Sequence, residues 1–512
     1  MSRQIFPALL WLFLCATSIL GEELPREISG ALRAPNPSVM SDAYYQIWND
    51  EVQKQIDERI EKYRKADAVV SIENVKLGTD IRVEQISHEF IFGAHIFNFN
   101  QLGTDERNEK YKALYGTFFN SATVAFYWQK FEIEPGKPRF ATEERDTAEF
   151  WNNCPNPKSQ PHWRRPSSDQ VVEFCESKGI RIHGHPLVWG NRTWHHPGWL
   201  WTEFASPEER KNLGIPKSEL YKRSADEIYA MGKGYIDALD SRTFERIRII
   251  ADHYGDRVDS WDVVNESASD YHGNTEAGGP VCKSSYGLMP ADYTIRSFRV
   301  ANEVFPKQTL LNINDYANSR NYVEQTKELL KKGCKIDIIG SQMHLFNPRQ
   351  TLDIAEGKTS IWFGGMQMTP DGIWRTMEML SETGLPIHLS EITITAPNDD
   401  PTGRDIQAIV ARNFYRMWFS IPNMMGITWW NVVDDCGAPG EPTTSGLFTR
   451  NMEPKPSFYA LNQLINHEWK TNLVFKADKS SMEIPFRGFK GTYRVRWIDS
   501  EGNAQQKEIV VH

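Results

Sequence analysis

From residue 89 onward, short apolar runs rich in β-branched and aromatic residues alternate with longer segments of helical periodicity. The runs are EFIFGAHIF from Glu89, TFFNSATVAFY from Thr117, IRIHGHPLVW from Ile180, VDSWDVVNE from Val258, TLLNINDY from Thr309, IDIIGSQMHL from Ile336, PIHLSEITI from Pro386 and GITWWNVV from Gly426. Strands this apolar are covered on both faces, and strand–helix alternation predicts a parallel sheet. Eight such units over about 380 residues predict a (β/α)8 barrel, the TIM-barrel form of the α/β class, spanning residues 85–467. Polar residues interrupt the runs near their C-terminal ends: His185, Asn265 and Glu266, Asn314 and Asp315, Gln342 and His344, and Glu391. Barrel enzymes carry their chemistry at that end.

The flanks have other patterns. Tyr45, Trp48, Val52, Ile56 and Ile60 recur at helical spacing over 41–66, with Ser41 as N-cap, and predict one amphipathic helix. Residues 67–88 alternate around Gly78 and predict a β-hairpin, so 22–84 form a helix and hairpin extension. After Trp469 the alternation is strand-like, with turns at Gly488, Gly491 and Gly502; residues 468–512 are expected to be a small docked β appendage. The first residues run from Arg3 through an apolar stretch, Ile5 to Cys15, to small residues ending at Gly21. That order predicts a secretory signal peptide over 1–21 and a secreted protein, extracellular or periplasmic. The stretch is too short to span a bilayer, and no later segment is long enough.

Composition adds three points. A net charge of -9 argues against nucleic acid as a partner. Seventeen Trp and eighteen Tyr supply flat rings of the kind that stack on sugar faces. Cys154, Cys175, Cys282, Cys334 and Cys436 make an odd set without a CxxC pair, so neither a metal site nor a complete disulfide framework is expected.

The chemistry rests on two glutamates. Splitting a glycosidic bond requires protonation of the leaving oxygen and stabilisation of positive charge at the anomeric carbon, which two carboxyl groups in different environments supply. Glu266, ending the run Trp261-Asp262-Val263-Val264-Asn265-Glu266 beside apolar neighbours, suits the acid/base role; Glu391 in His388-Leu389-Ser390-Glu391-Ile392 suits the nucleophile. Gln342 and His344 on the preceding strand are expected to hydrogen-bond Glu391 and keep it ionised. Each residue taken singly has a structural explanation; their recurrence at equivalent strand ends favours one clustered site.

The order GHPLVW at 184–189, WDVVNE at 261–266, LNINDY at 311–316, SQMH at 341–344, HLSE at 388–391 and GITWW at 426–430 resembles family-10 glycoside hydrolases, the endo-β-1,4-xylanase family. The likeness covers roughly 85–465 and includes KPSFYAL at 455–461. It implies a retaining hydrolase of xylan or a related decorated plant-type polysaccharide, with Glu266 as acid/base and Glu391 as nucleophile. It further implies that His185, Trp189, Asn265, Gln342, His344 and Trp430 bind the sugar. No metal or cofactor is implied, the expected partner is the poly- or oligosaccharide substrate, and the expected state is a monomer. Two other readings stay open, a barrel hydrolase for another β-glycan or β-glycoside and a non-catalytic glycan-binding barrel.

The departures from the resemblance are specific. Where the family carries a Glu-Asn pair and then a Lys after the second strand, this chain has Ala125, Phe126 and Gln129. Of Phe126, Tyr127 and Trp128, strand alternation requires at least one to point into the core. Gly190 stands where a His is usual, with His195 or His196 as spatial replacements, and Thr393 stands where an Asp is usual. The loop at 434–437 lacks a Trp, and extra residues between Phe140 and Asp169 are expected on the active face.

Overall fold

The computed structural model describes residues 36–276, 279–283 and 287–512; the signal-peptide segment lies outside the described residues. The barrel strands, numbered here in chain order, are β1 (Ile91–His95), β2 (Ser121–Ala125), β3 (Arg181–His185), β4 (Ser260–Asn265), β5 (Leu310–Asp315), β6 (Ile338–Leu345), β7 (Ile387–Ile394) and β8 (Met424–Trp429). Each pairs in parallel with its neighbours in sequence, β8 pairs with β1, and β4 with β5, so the sheet closes. Seven of the eight expected runs contain their strand, and the eighth strand starts at Met424, two residues before the run expected from Gly426. The run at 180–189 is broken after His185, and Val188–Trp189 resumes pairing with β4 beside Asn265. Helices such as Lys233–Tyr254 and Pro401–Phe419 cover the outside, and between them and the strands lies one large apolar core.

The flanking regions differ from expectation. In place of one helix over 41–66 there are two, Asp42–Ile47 and Asp50–Arg64, because Asn49 Oδ1 accepts the Val52 N–H (3.0 Å) and caps a second start. Ser41 does cap the first, accepting from Tyr44 N at 3.2 Å.

The hairpin over 67–88 does not form. Strand Lys65–Ile72 pairs antiparallel with Met482–Phe489, whereas Asp80–His88 lies between Asn472–Lys476 and Gly491–Ile498, with Ala504–Val511 at the edge. Both stretches therefore read correctly as strands but find their partners in the C-terminal segment. The two-stranded and four-stranded sheets face each other over their own core of Val70, Ile72, Ile81, Val83, Ile484, Phe486, Tyr493 and Val495. The N-terminal extension and the C-terminal appendage are thus halves of one β-sandwich. Gly491, at φ +149°, lets the chain cross between the sheets, where a Cβ would collide with the Ser87 carbonyl.

The sandwich sits at the N-terminal end of the barrel. The Trp469 ring stacks on Phe419 (4.0 Å between centroids) and on Phe92 of β1 (5.8 Å), joining the two units. The opposite mouth is left to the loops after the strands.

Because neither half of the sandwich has a partner without the other, a chain ending at residue 468 should lose more than an appendage. It would leave Val70, Ile81 and Val83 uncovered, each buried in the whole chain. At about 1.5–3 kcal/mol for each such side chain returned to water, the truncated protein should be insoluble or melt well below the parent. Soluble expression and thermal melting check this; an unchanged Tm would make the segment dispensable.

Candidate active site

Glu266 follows the last residue of β4 and adopts a left-handed backbone, φ +56°. That conformation is uncommon for a residue with a side chain, and it is held by the Glu266 N–H donating to the Asn314 carbonyl on β5 (2.7 Å). The turn aims the carboxyl across the mouth. Its Oε2 accepts from the Trp189 indole N–H (3.1 Å) and its Oε1 from the Gln342 amide (3.2 Å).

Glu391 lies within β7 and is 5% exposed. On the β6–β7 ladder Ser341 faces Leu389 and Gln342 faces Glu391, so Ser390 is an extra residue and the strand bulges beside Glu391. A bulge re-aims the side chains next to it. Glu391 Oε1 accepts from Asn314 Nδ2 (3.0 Å), His344 Nε2 stands 3.3 Å from Oε2, and His185 Nε2 lies 3.7 Å from Oε1.

The expected partnership of Gln342 with Glu391 is not what forms. Gln342 Nε2 is directed to Glu266 and to Asn265 Oδ1 (3.3 Å), and Asn314, a strand-end residue not counted among the sugar contacts, takes its place at Glu391. Asn314 also donates to Asn265 Oδ1 (2.9 Å), so the amides form a chain from one carboxyl group to the other.

His344 and His185 are oriented from behind. Thr393 Oγ1 lies 2.9 Å from His344 Nδ1; with the hydroxyl donating there, His344 Nε2–H is left to donate to Glu391. The ring stacks on Phe346 at 4.4 Å. His185 Nδ1 lies 2.7 Å from Asp262 Oδ2, and its Nε2 is 3.1 Å from the Tyr127 hydroxyl. His183 shares the same Asp262 oxygen at 2.9 Å. Burial acts to raise the Asp262 pKa, but the His183 and His185 rings outweigh it and hold the carboxyl well below the usual carboxylate range.

One wall of the mouth is aromatic. Phe97, Ala125, Tyr127 and Trp430 form an apolar cluster with Trp189 against it. Trp430 packs edge-on to His185 (5.6 Å), Phe97 (5.2 Å) and His95 (4.8 Å). At the end of β2 the alternation divides the three aromatics: Phe126 is fully buried against Trp261 and Tyr254, Trp128 is buried beside Trp199, and Tyr127 faces His185. Gln129 is tied to the Thr193 carbonyl (3.1 Å), and His195 stands beside Trp189, 6.4 Å between rings.

The segment between Phe140 and Asp169 does reach this face. It contributes Arg164, whose Nη2 donates to Asn431 Oδ1 (2.8 Å) and whose Nη1 lies 3.4 Å from Glu441, and Arg165, whose guanidinium lies 3.8 Å over the Tyr127 ring. Arg164 and Asn431, like Glu266, are non-glycine residues at positive φ, and such backbone outliers gather at functional sites. Tyr127, His95, Arg164, Arg165 and Asn431 were not expected site residues. A cavity of about 610 Å³ at the opposite end of the barrel, lined by Arg181, Asp259 and Lys490 among others, includes neither glutamate.

Two carboxyl groups given different environments by different donors suit acetal chemistry, and with the barrel beneath them they place the molecule among the glycoside hydrolases. Comparison with known proteins narrows the class. The model of glycosyl hydrolase family 10 matches residues 106–464, and the chain belongs to that family. It is 26% identical over 315 residues to endo-1,4-beta-xylanase B of Thermotoga neapolitana, covering 59% of this chain and 75% of that protein. It is 27% identical over 316 residues to a thermostable celloxylanase of Thermoclostridium stercorarium, covering 57% and 71%. Native xylanase 10B from Thermotoga maritima superposes with a TM-score of 0.49 at 23% identity, covering 74% of this chain and 96% of that one.

The Asp262 carboxylate gives the site an acid sensitivity. Its pKa is depressed in the folded state, so the stability it contributes is present above the unfolded value near pH 4 and is lost as pH falls through the lower folded value. Asp262→Asn should therefore destabilise by about 2 kcal/mol at pH 7, with the gap narrowing below about pH 4. Urea unfolding of both proteins at pH 7 and pH 3 measures it; a gap independent of pH would mean that shape, not charge, is what Asp262 provides.

Proposed function

We propose that this family-10 hydrolase cleaves a β-1,4-linked xylan or a related decorated plant-type polysaccharide by double displacement, with Glu391 as nucleophile and Glu266 as acid/base. The observation that carries the assignment is the difference between the two carboxyl groups. Glu391 is buried, with Asn314 donating to it and His344 Nε2 3.3 Å away, contacts that favour a fixed negative oxygen and support its attack on the anomeric carbon. Glu266 is less enclosed, on a turn between Trp189 and Gln342, where its proton can pass to the leaving oxygen and be recovered from the attacking water in the second step. Asn265 Oδ1 already accepts from Asn314 and Gln342, which leaves its Nδ2 as a donor for a sugar hydroxyl. The signal-like segment at 1–21 supports action outside the cytoplasm, on a substrate too large to import.

Retention makes the test direct. Proton NMR of the first-formed product from a xylo-oligosaccharide should show the β-anomer; an initial α-anomer would mean inversion and remove the nucleophile role from Glu391. Glu391→Ala should abolish hydrolysis, with azide restoring part of the activity as a glycosyl azide. Glu266→Ala should lower kcat/KM by about 10²–10⁴-fold on substrates whose leaving group needs protonation, and far less on dinitrophenyl glycosides. Azide rescue of Glu266→Ala with inverted product would exchange the two roles.

A further inference from the structure

The aromatic wall borders both glutamates, since Trp189 donates to Glu266 and the Tyr127 hydroxyl meets His185 beside Glu391. Over that wall lies a cation. The Arg165 guanidinium stands 3.8 Å from the centre of the Tyr127 ring and 5.1 Å from that of Phe97. Stacking of this kind engages the guanidinium face and leaves its N–H groups, directed in the plane, for other partners. One is used: Arg165 Nη1 donates to the Arg164 carbonyl at 2.7 Å. Among the described residues Arg165 makes no ion pair, whereas its neighbour Arg164 is matched to Glu441.

The placement is built rather than incidental. The Arg165 carbonyl accepts from Arg139 Nη1 (3.0 Å), Arg139 is ion-paired with the fully buried Asp146, and the Arg164 N–H donates to Gln101 Oε1 (2.6 Å). The acidic groups around the mouth are already engaged: Glu441 with Arg164 and Asn431, Asp435 with Lys158, and Asp434 with Lys455. Strand β2 ends on Ala125, which offers no carboxylate either. Arg165 is half-buried and feels Glu441 only at a distance, so its guanidinium lacks a directly paired carboxylate; a ligand carboxylate, which it can hold through two parallel hydrogen bonds, suits it better than a neutral hydroxyl. Burial lowers the Arg165 pKa only to about 10, so the group stays cationic at neutral pH.

We propose that Arg165 recognises the carboxylate of a uronic acid, so that this wall of the cleft selects an acidic, glucuronate-type decorated β-glycan over the neutral chain. The proposal rests on the polysaccharide-hydrolase reading above and names the substrate class within it.

Binding tests it separately from turnover. The full chain carrying Glu266→Gln, to prevent cleavage, is titrated calorimetrically with a neutral β-1,4-xylo-oligosaccharide and with two acidic ones, bearing glucuronic acid as a branch or at the non-reducing end. The carboxyl-reduced twin of each acid is the control. At least one acid should bind about tenfold more tightly than its twin, the worth of a charge-assisted hydrogen bond. Adding Arg165→Gln should erase that preference while changing neutral binding less than about threefold, and Arg165→Lys should restore part of it. Equal binding of both acids and their twins, no binding of either acid, or an equal loss for acid and neutral ligands in Arg165→Gln would overturn the proposal. Failure of the enzyme with Glu266 intact to hydrolyse any of these sugars would sink the xylan reading, while the acid preference in binding stands or falls by itself.

Discussion

The side-chain amide of Asn314 donates from one nitrogen to both Asn265 Oδ1 and Glu391 Oε1, so a single planar group spans the strands that carry the two candidate carboxyl groups. Its oxygen is fixed in turn by the Ser390 hydroxyl at 2.5 Å, and its backbone carbonyl receives the N–H of Glu266. Asn314 is fully buried, and a buried amide tolerates little displacement because each bond it loses leaves a desolvated polar atom. The neighbouring strand makes room for it: a Cβ at Gly340 would collide with Asn314 Oδ1, so β6 carries a glycine at that point. Both unusual backbone features of the site, the left-handed Glu266 and the bulge at Ser390, are thus tied to one residue on β5, the first of the two strands between them.

That arrangement requires a stiff barrel, and the chain termini contribute to it from the far end. Helix Asp50–Arg64 binds Pro401–Phe419 through Gln53 and Asp57 to Arg416, and Arg64 donates to the Phe419 and Ile421 carbonyls. The sandwich then closes over the same floor through Trp469. Segments far apart in sequence meet at the N-terminal face, so the opposite mouth is free to vary in its loops without disturbing closure.

The barrel was legible in the sequence because parallel strands buried on both faces make apolar runs, and a polar residue within such a run is conspicuous. Glu266, Glu391, Asn265, Gln342, His344 and His185 stood out on that ground and Trp189 and Trp430 through the resemblance, and all eight lie at the mouth. Pairing was less legible. The alternation of 67–88 marks strands correctly, but period-2 patterning does not name a partner, and the partners lie some four hundred residues away. The switch of Gln342 from Glu391 to Glu266 was hidden for a similar reason, since it depends on a one-residue bulge at Ser390 that shifts every contact beyond it. The insertion that holds Arg164 and Arg165 was expected on the active face from its place after the second strand, but it has no periodicity that would single out these two residues.

The end of β2 shows how a few residues redefine a cleft. With Ala125 and Tyr127 on the mouth side and Phe126 behind them, Phe126 serves the layer between barrel and helices, where its carbonyl also receives the buried Arg246. The short Ala125 leaves space above the strand, and Tyr127 occupies it with a ring whose face is covered by Arg165. Where the family resemblance implies polar side chains, this strand end presents an aromatic surface, and the charge beside it comes from the segment between Phe140 and Asp169. The net charge of -9 argues against a polyanion held across the whole surface, but a field summed over a molecule does not describe one site a few ångströms across. A half-buried charge is screened less than charges on the open surface, so the Arg165 guanidinium, which makes no ion pair among the described residues, has more influence on what enters than the excess of carboxylates spread over the outside.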